Sequence, residues 1–133
     1  MATKINFNGE IHDQLSISVL DHGFLFGDSV YEVVCTINNQ PCFLEKHLDR
    51  LFASAKAISL NIPHDNEWFR EQLKVTLGAA DNDESYIRII VTRGIGEINI
   101  DPTTCHSPNI IIIVMAVKEY PEPCYEKGIH VAL

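Results

Sequence analysis

Apolar and polar residues alternate along the first part of the chain, which is the pattern of β-strands. Residues 4–7 alternate, Asn8-Gly9 tolerates the positive φ angles of a tight turn, and residues 10–12 continue the alternation. We therefore predict a small hairpin at this point. A second alternation, over residues 15–20, is broken by Asp21-His22-Gly23.

A longer strand is predicted next, because residues 29–38 are rich in β-branched and aromatic side chains. Asn38-Asn39 turns the chain, and residues 40–43 return along the strand. Two hairpins within the first 45 residues predict an antiparallel sheet.

The spacing of apolar residues changes to three and four over residues 44–60, which predicts a helix. Pro63 ends this segment, and Asp65 is placed to cap a second helix that closes at Gly78 and the polar residues 81–84. The apolar positions are Leu44, Leu48, Leu51, Phe52, Ala55 and Ile58 in the first helix, and Trp68, Phe69, Leu73 and Leu77 in the second.

The chain then returns to strand patterns. Residues 85–93 alternate, and residues 109–117 form a nearly unbroken β-branched run, typical of a central strand buried on both faces. The loop between them, residues 94–108, shows little periodicity. Residues 121–123 have the composition of a linker, and residues 128–133 begin another strand-like segment.

Strands, then two helices, then further strands are typical of the α+β class. We predict an antiparallel sheet with two helices packed on one face. A length of 133 residues suits one domain that folds without a disulfide or a metal. The four cysteines are irregularly spaced, which predicts reduced thiols and no zinc site.

Charge and hydropathy exclude several partners. Eighteen acidic residues outweigh ten basic ones, giving a net charge of −8, so neither nucleic acid nor an anionic membrane surface is an expected partner. No apolar run approaches the length of a membrane span, and the amino terminus lacks the apolar stretch of a signal peptide. We expect a cytoplasmic protein.

Two arginines are candidates for binding an anionic ligand. His47 and Arg50 flank the apolar stripe of the first helix, where they could meet a ligand or be solvated. Tyr86 and Arg88 share one face of a strand, where they could receive a carboxylate or form a structural pair.

Three further features, an acidic residue, an apolar loop and a histidine in a turn, suggest contacts within the chain or with a ligand or another subunit. Glu32 faces away from Tyr31 and is a possible internal partner for an arginine. The loop over residues 94–102 carries three isoleucines, which predicts an interface or a cover for a substrate. His22 follows Asp21 in a turn, where a lone histidine has most often a structural role.

Several segments taken together resemble the class IV (fold type IV) pyridoxal-phosphate aminotransferases. They are Asp21-His-Gly-Phe-Leu-Phe-Gly-Asp28, Val30-Tyr-Glu32, Leu44-Glu-Lys-His-Leu-Asp-Arg-Leu51, Ser54-Ala-Lys-Ala57, Ile62-Pro63, Tyr86-Ile-Arg88, Thr92-Arg-Gly94 and Asp101-Pro102. This family includes branched-chain aminotransferases, D-amino-acid aminotransferases and aminodeoxychorismate lyase. The resemblance implies that the chain is the small amino-terminal domain of such an enzyme, with pyridoxal 5′-phosphate as its cofactor.

The resemblance also implies roles for individual residues. Arg50 matches the arginine that holds the cofactor phosphate, for which a bidentate guanidinium is well suited. Tyr31 matches an aromatic residue of the substrate pocket, and Tyr86 and Arg88 match the pair that helps to receive the substrate carboxylate. The implied reaction moves an amino group from a branched-chain amino acid to 2-oxoglutarate.

Other matched positions imply a homodimer with a shared active site. Phe26 and Ile100 match residues that reach the neighbouring subunit. The sequence Tyr31-Glu-Val-Val resembles the D-amino-acid enzymes, yet the arginine and histidine of their loop are replaced here by Ile98 and Ile100. We therefore favour the branched-chain group, with the D-amino-acid aminotransferase and the lyase as alternatives.

The family's catalytic lysine is expected outside this chain. None of the six lysines matches it, because in the family it lies in a larger carboxy-terminal domain. We expect residues 1–120 to be the small domain, residues 121–133 to be a linker and the start of that second domain, and the 133-residue chain alone to be inactive. The alternative of another class is a non-catalytic module that dimerises.

Overall fold

A computed structural model describes residues 2–132. The strands are β1 (Lys4–Phe7), β2 (Glu10–His12), β3 (Ser29–Ile37), β4 (Gln40–Pro41), β5 (Ser85–Thr92) and β6 (Asn109–Ala116). The helices are α1 (His22–Phe26), α2 (Leu44–Ala57), α3 (Asn66–Ala80) and α4 (Glu122–Lys127), with a 3-10 turn at Pro102–Thr104. The strands form one antiparallel sheet in the order β2-β1-β6-β5-β3-β4.

The core lies between this sheet and helices α2 and α3, which pack on the same face. In register, Ile87 pairs with Val114 and Ile89 with Ile112, so these side chains point together toward the helices. The buried helical partners are Leu48, Leu51, Ala55, Phe69 and Leu73. Burying each large apolar side chain is worth about 1.5–3 kcal/mol, so this layer supplies most of the driving force for folding. The α+β prediction is confirmed.

The two long helices begin in different ways. The Asp65 carboxylate accepts a hydrogen bond from the Trp68 amide at 2.9 Å, so Asp65 caps α3 as predicted. Gly78 lies inside α3, and the helix ends instead at Asp81, which adopts a left-handed conformation. Helix α2 begins after Phe43, which is also left-handed and provides no side-chain cap.

The structure differs from the sequence-based prediction in four short segments. Residues 15–20 form no strand, and the predicted break after them contains α1, because the Asp21 carboxylate caps the Gly23 amide. The linker-like residues 121–123 lead into α4, since proline is favoured in the first turn of a helix. Residues 128–132 form no strand and pair with none of the six strands described; Leu133 lies outside the described residues.

Candidate functional site

The face of the sheet opposite the helices carries the three predicted substrate residues. Tyr31 pairs in register with Ile90, which is two residues from Arg88 and four from Tyr86. Directly paired residues share a face of the sheet, and so do residues two apart on one strand. The structure therefore brings Tyr31, Tyr86 and Arg88 to one face, which we call the open face.

Arg88 and Tyr31 contact each other on the open face. The guanidinium carbon of Arg88 lies 4.3 Å from the centre of the Tyr31 ring, a cation–π arrangement. Tyr31 is 56% exposed, and among residues 2–132 no salt bridge neutralises Arg88. The flat guanidinium on an aromatic ring thus keeps hydrogen-bond donors free for a carboxylate.

Arg50 is held by Glu32, as the opposite orientation of Glu32 and Tyr31 suggested. Its Nε and Nη2 lie 2.5 and 2.6 Å from the two carboxylate oxygens of Glu32, a bidentate pair. The Nδ1 atom of His47 lies 2.8 Å from the same carboxylate, and it donates because a carboxylate only accepts. The hydrogen bonds from Arg50 lower the pKa of the buried Glu32 carboxyl, and Glu32 in turn raises the pKa of Arg50.

A cationic cavity adjoins this pair. It has a volume of about 430 Å³ and is lined by Phe43, Lys46, His47 and Arg50. The Arg50 side chain is 67% exposed, and its Nη1 atom has no hydrogen-bond partner among the described residues. The free Nη1 of Arg50 and the ammonium of Lys46 are donors that fit a phosphate dianion.

The cationic cavity and the open face are not on the same side of the sheet. Glu32, which holds Arg50, and Tyr31 are consecutive on β3 and therefore point to opposite faces. Strand β4 pairs with β3 only at Thr36 and Ile37. The earlier part of β3 thus separates the two groups of candidate residues, and within residues 2–132 no other strand pairs with that edge.

One end of the open face is closed by α1. The fully buried Asp21 carboxylate accepts hydrogen bonds from the Gly23 amide, the Thr92 hydroxyl and the Asn109 side chain at 2.7–2.8 Å. Asp21 also forms a β-bridge with Ile95 at the start of the long loop. This network joins α1, the loop and the ends of β5 and β6.

The apolar residues of α1 and the loop point outward at this end of the molecule. The predicted neighbouring-subunit contacts are both exposed, Phe26 at 42% and Ile100 at 85%. Phe24 and Ile98 beside them are more than 60% exposed. An exposed apolar cluster on two hydrogen-bonded segments is typical of a protein interface.

Sequence reasoning missed the ion pair that ties these segments to α2. Arg93 binds both carboxylate oxygens of Asp28 and also donates to the carbonyl oxygens of Ile58 and Ser59, at the end of α2. Both residues lie in motifs that the sequence singled out, but 65 positions separate them. No local spacing could have indicated this contact.

Other kinds of site are absent from the part of the chain that is described. No helix within residues 2–132 is long and apolar enough to cross a membrane. Over the same residues, no group of three or more histidine, cysteine or acidic side chains could hold a metal ion. All four cysteines are free thiols.

Comparison with known proteins identifies the family. The model of the amino-transferase class IV family matches residues 29–133. This chain is a class IV aminotransferase family member. The matched region contains Tyr31, Arg50, Tyr86 and Arg88, whereas Phe26 lies just before it.

Relatives of this class IV chain fall into more than one group. It is 37% identical over 114 residues to a Methanocaldococcus jannaschii protein provisionally named branched-chain-amino-acid aminotransferase, a match covering 84% of the chain and 40% of the relative. It is 36% identical over 95 residues to a D-alanine aminotransferase of Listeria monocytogenes, covering 71% of the chain and 33% of the relative. This class IV chain therefore spans less than half the length of these relatives.

The fold of the class IV chain matches that of a solved enzyme. The branched-chain amino acid aminotransferase of Escherichia coli superposes with a TM-score of 0.84 at 22% identity, over 93% of this chain and 43% of that one. At this identity the likeness establishes the fold alone. It agrees with the six-stranded antiparallel sheet and the two helices on one face.

Proposed function

We propose that this chain is the amino-terminal domain of a pyridoxal-phosphate-dependent aminotransferase that acts on branched-chain amino acids. Residues 1–120 would be the domain, and residues 121–133 would lead into a second one. The observation that carries the proposal is the 37% identity with the archaeal relative of that name. The unneutralised Arg88 on an apolar open face agrees with it.

Arg50 would hold the cofactor phosphate in the cationic cavity. Glu32 fixes the guanidinium from one side and leaves Nη1 free, while Lys46 and His47 line the same cavity. When bound, pyridoxal phosphate supplies the electron sink that makes the α-proton of an amino acid acidic.

The open face would bind the amino acid. Arg88 would receive the carboxylate, with Tyr31 under its guanidinium and Tyr86 on the same face of β5. The apolar neighbours in the same register, Ile90 and Ile113, suit a branched aliphatic side chain better than a polar one. The amino-group acceptor would be a 2-oxo acid such as 2-oxoglutarate.

The lysine that moves the α-proton would come from outside this chain. Lys4 on β1 pairs in register with Val114 on the face of the sheet that α2 and α3 cover, which we call the covered face, and its ammonium binds Asp13. The other five lysines are Lys46 and Lys56 on α2, Lys74 on α3, and Lys118 and Lys127 after β6. None projects from the strands of the open face, so the 133 residues alone should be inactive.

The active enzyme would be a cytoplasmic homodimer. Phe26 and Ile100, on the exposed apolar end formed by α1 and the long loop, would contact the partner subunit near its active site. Burial of these apolar side chains against the partner subunit would form the hydrophobic core that stable protein interfaces contain.

D-amino-acid transamination is a second candidate, favoured by the 36% identity with the Listeria relative. Ile98 and Ile100 count against it, because residues 94–102 of the loop include no basic side chain to receive the carboxylate of a D-amino acid. Aminodeoxychorismate lyase remains a third possibility within the family. A non-catalytic dimerising module is the alternative of another class.

The test begins with the reading frame that encodes this chain. The complete protein is purified, and L-leucine, L-valine, D-alanine and aminodeoxychorismate are assayed with 2-oxoglutarate where an acceptor is needed. We expect the two L-amino acids to be preferred, and Arg88→Met to raise KM for them. Preference for D-alanine or the lyase substrate would refute the branched-chain assignment. A frame that stops at Leu133, with no turnover, would favour the dimerising module.

A further inference from the structure

His22 is a buried histidine that the proposed chemistry does not use. It is the first residue of α1, its exposed fraction is 1%, and its Nε2 atom lies 2.8 Å from the carbonyl oxygen of Glu97. A carbonyl oxygen only accepts hydrogen bonds, so Nε2 carries the proton and donates. The ring also meets Phe26 edge to face, with the ring centres 4.9 Å apart. Both contacts fix the orientation of the imidazole.

The loop over residues 95–101 has few other attachments to the segment before β3. Among the described residues, its other hydrogen bond to that segment runs from the Gly96 amide to the carbonyl of Leu20, at 3.3 Å. The remaining hydrogen bonds of the loop join its own residues or the turn that follows it. The Glu97 carbonyl is therefore the point at which the outer part of the loop is tied down.

The loop backbone passes directly against the His22 ring. A Cβ atom added at Gly96 would lie 2.7 Å from His22 Nε2 and 2.6 Å from Cys105 Sγ, closer than real contacts allow. Only glycine fits between the imidazole and the thiol without displacing one of them. The position of the ring thus sets the path of the loop.

We propose that His22 is a positioning residue that fixes the loop 95–101 and so presents its isoleucines to a second copy of the chain. Ile98 and Ile100, at 76% and 85% exposure, lie just beyond the tied carbonyl. A loop ordered before association loses less conformational freedom when the interface forms. The part about presentation rests on the homodimer proposed above, whereas the fixing of the loop does not.

The experiment compares His22→Leu with His22→Gln. Leucine keeps an apolar side chain but removes the donor, whereas the glutamine amide retains one. His64→Leu is the matched control, because His64 stacks on Trp68 instead of touching the loop. Amide hydrogen exchange is measured in the loop and in β5 and β6, and the dimer dissociation constant is measured by sedimentation.

We expect His22→Leu to raise exchange in residues 96–101 roughly fivefold or more while β5 and β6 keep their protection. The dimer dissociation constant should be higher in this variant, because the loop is less ordered before association. His22→Gln should restore the loop exchange rate and the dissociation constant at least in part. Unchanged loop exchange in a folded His22→Leu protein would overturn the proposal. If the wild type never dimerises but its loop still depends on His22, the homodimer fails and the fixing of the loop stands.

A measurement on the wild-type protein covers the case in which His22→Leu does not fold. Nitrogen-15 NMR of the imidazole reports which ring nitrogen carries the proton. We expect a protonated Nε2 whose hydrogen exchanges slowly with water. A neutral ring protonated only at Nδ1 would overturn the proposal, because it could not donate to Glu97.

Discussion

The two faces of the sheet are built from the same strands but have opposite surroundings. On the covered face, Ile89 and Ile112 pair in register under α2 and α3 and are fully buried. On the open face, one residue further along each strand, Ile90 and Ile113 are only partly buried. Alternation along a strand therefore assigns residues to a face, but what covers each face depends on the rest of the molecule.

The two faces also differ in whether their charged side chains form ion pairs. Glu32 on the covered face is buried and paired with Arg50 and His47. Arg88 on the open face has an aromatic ring beneath it and no ion pair among residues 2–132. Arg88 can therefore offer its whole guanidinium to a ligand, whereas Arg50 can offer only the Nη1 edge that Glu32 leaves free.

The strongest test of this contrast is to truncate neighbouring isoleucines on opposite faces. We expect Ile89→Ala to lower the free energy of unfolding by about 3 kcal/mol, because it leaves a cavity in a closed core. Ile90→Ala, the matched control, should cost about 1 kcal/mol or less in this chain. Urea denaturation followed by circular dichroism measures both, and equal losses would contradict the distinction between the faces.

A buried carboxylate lies at the end of the open face, where Asp21 accepts three hydrogen bonds from neutral donors. Asp21→Asn replaces one acceptor oxygen with a donor, which must then face another donor. We expect a loss of about 2 kcal/mol in unfolding free energy. Urea denaturation checks this, with Asp101→Asn, on the exposed loop, as the control. A loss no larger than that of the control would show that the network does not stabilise the fold.

A feature of the fold or of the candidate site could be predicted from the sequence when the residues that form it are close together along the chain. Alternation, turn residues and β-branched composition located the strands of the sheet, and apolar spacings of three and four located both long helices, because those patterns are local. Asp65 was found as a cap for the same reason. Thr92 and Asn109, which donate to the Asp21 carboxylate, lie 71 and 88 positions away from it in the sequence. The part that Asp21 plays in closing the open face could therefore not be predicted. The role proposed for Arg50 came from the family resemblance and not from spacing.

The covered face offers a smaller and pH-dependent effect. Glu32→Gln removes the negative charge that holds Arg50 and His47, but the Arg50 side chain is exposed and can be solvated. We expect a loss of about 1–1.5 kcal/mol at pH 7. Chemical denaturation across pH measures it, with Glu10→Gln, an exposed carboxylate, as the control.

The direction of the pH effect follows from the lowered pKa of Glu32 in the folded protein. A carboxylate of this kind stabilises the fold fully above the pKa of the unfolded chain, about 4.3, and loses that contribution as pH falls through the folded pKa. The difference between wild type and Glu32→Gln should therefore be constant above about pH 5 and shrink in acid. A difference that grew in acid would contradict the ion pair.

The smallest expected effect on stability belongs to Arg88, and it separates folding from function. Arg88→Met removes a cation–π contact at a partly exposed site, which is worth about 0.5–1 kcal/mol, while methionine keeps the stem packed on the apolar open face. If Arg88 receives the substrate carboxylate, the same change should raise KM of the complete enzyme for L-leucine by at least roughly tenfold, since a charge-assisted hydrogen bond is lost. Lysine at this position would restore the charge but not the bidentate geometry, so Arg88→Lys should recover only part of the affinity. A large loss of stability with an unchanged KM would mean that Arg88 supports the sheet, and the open face would then need another residue to bind the substrate.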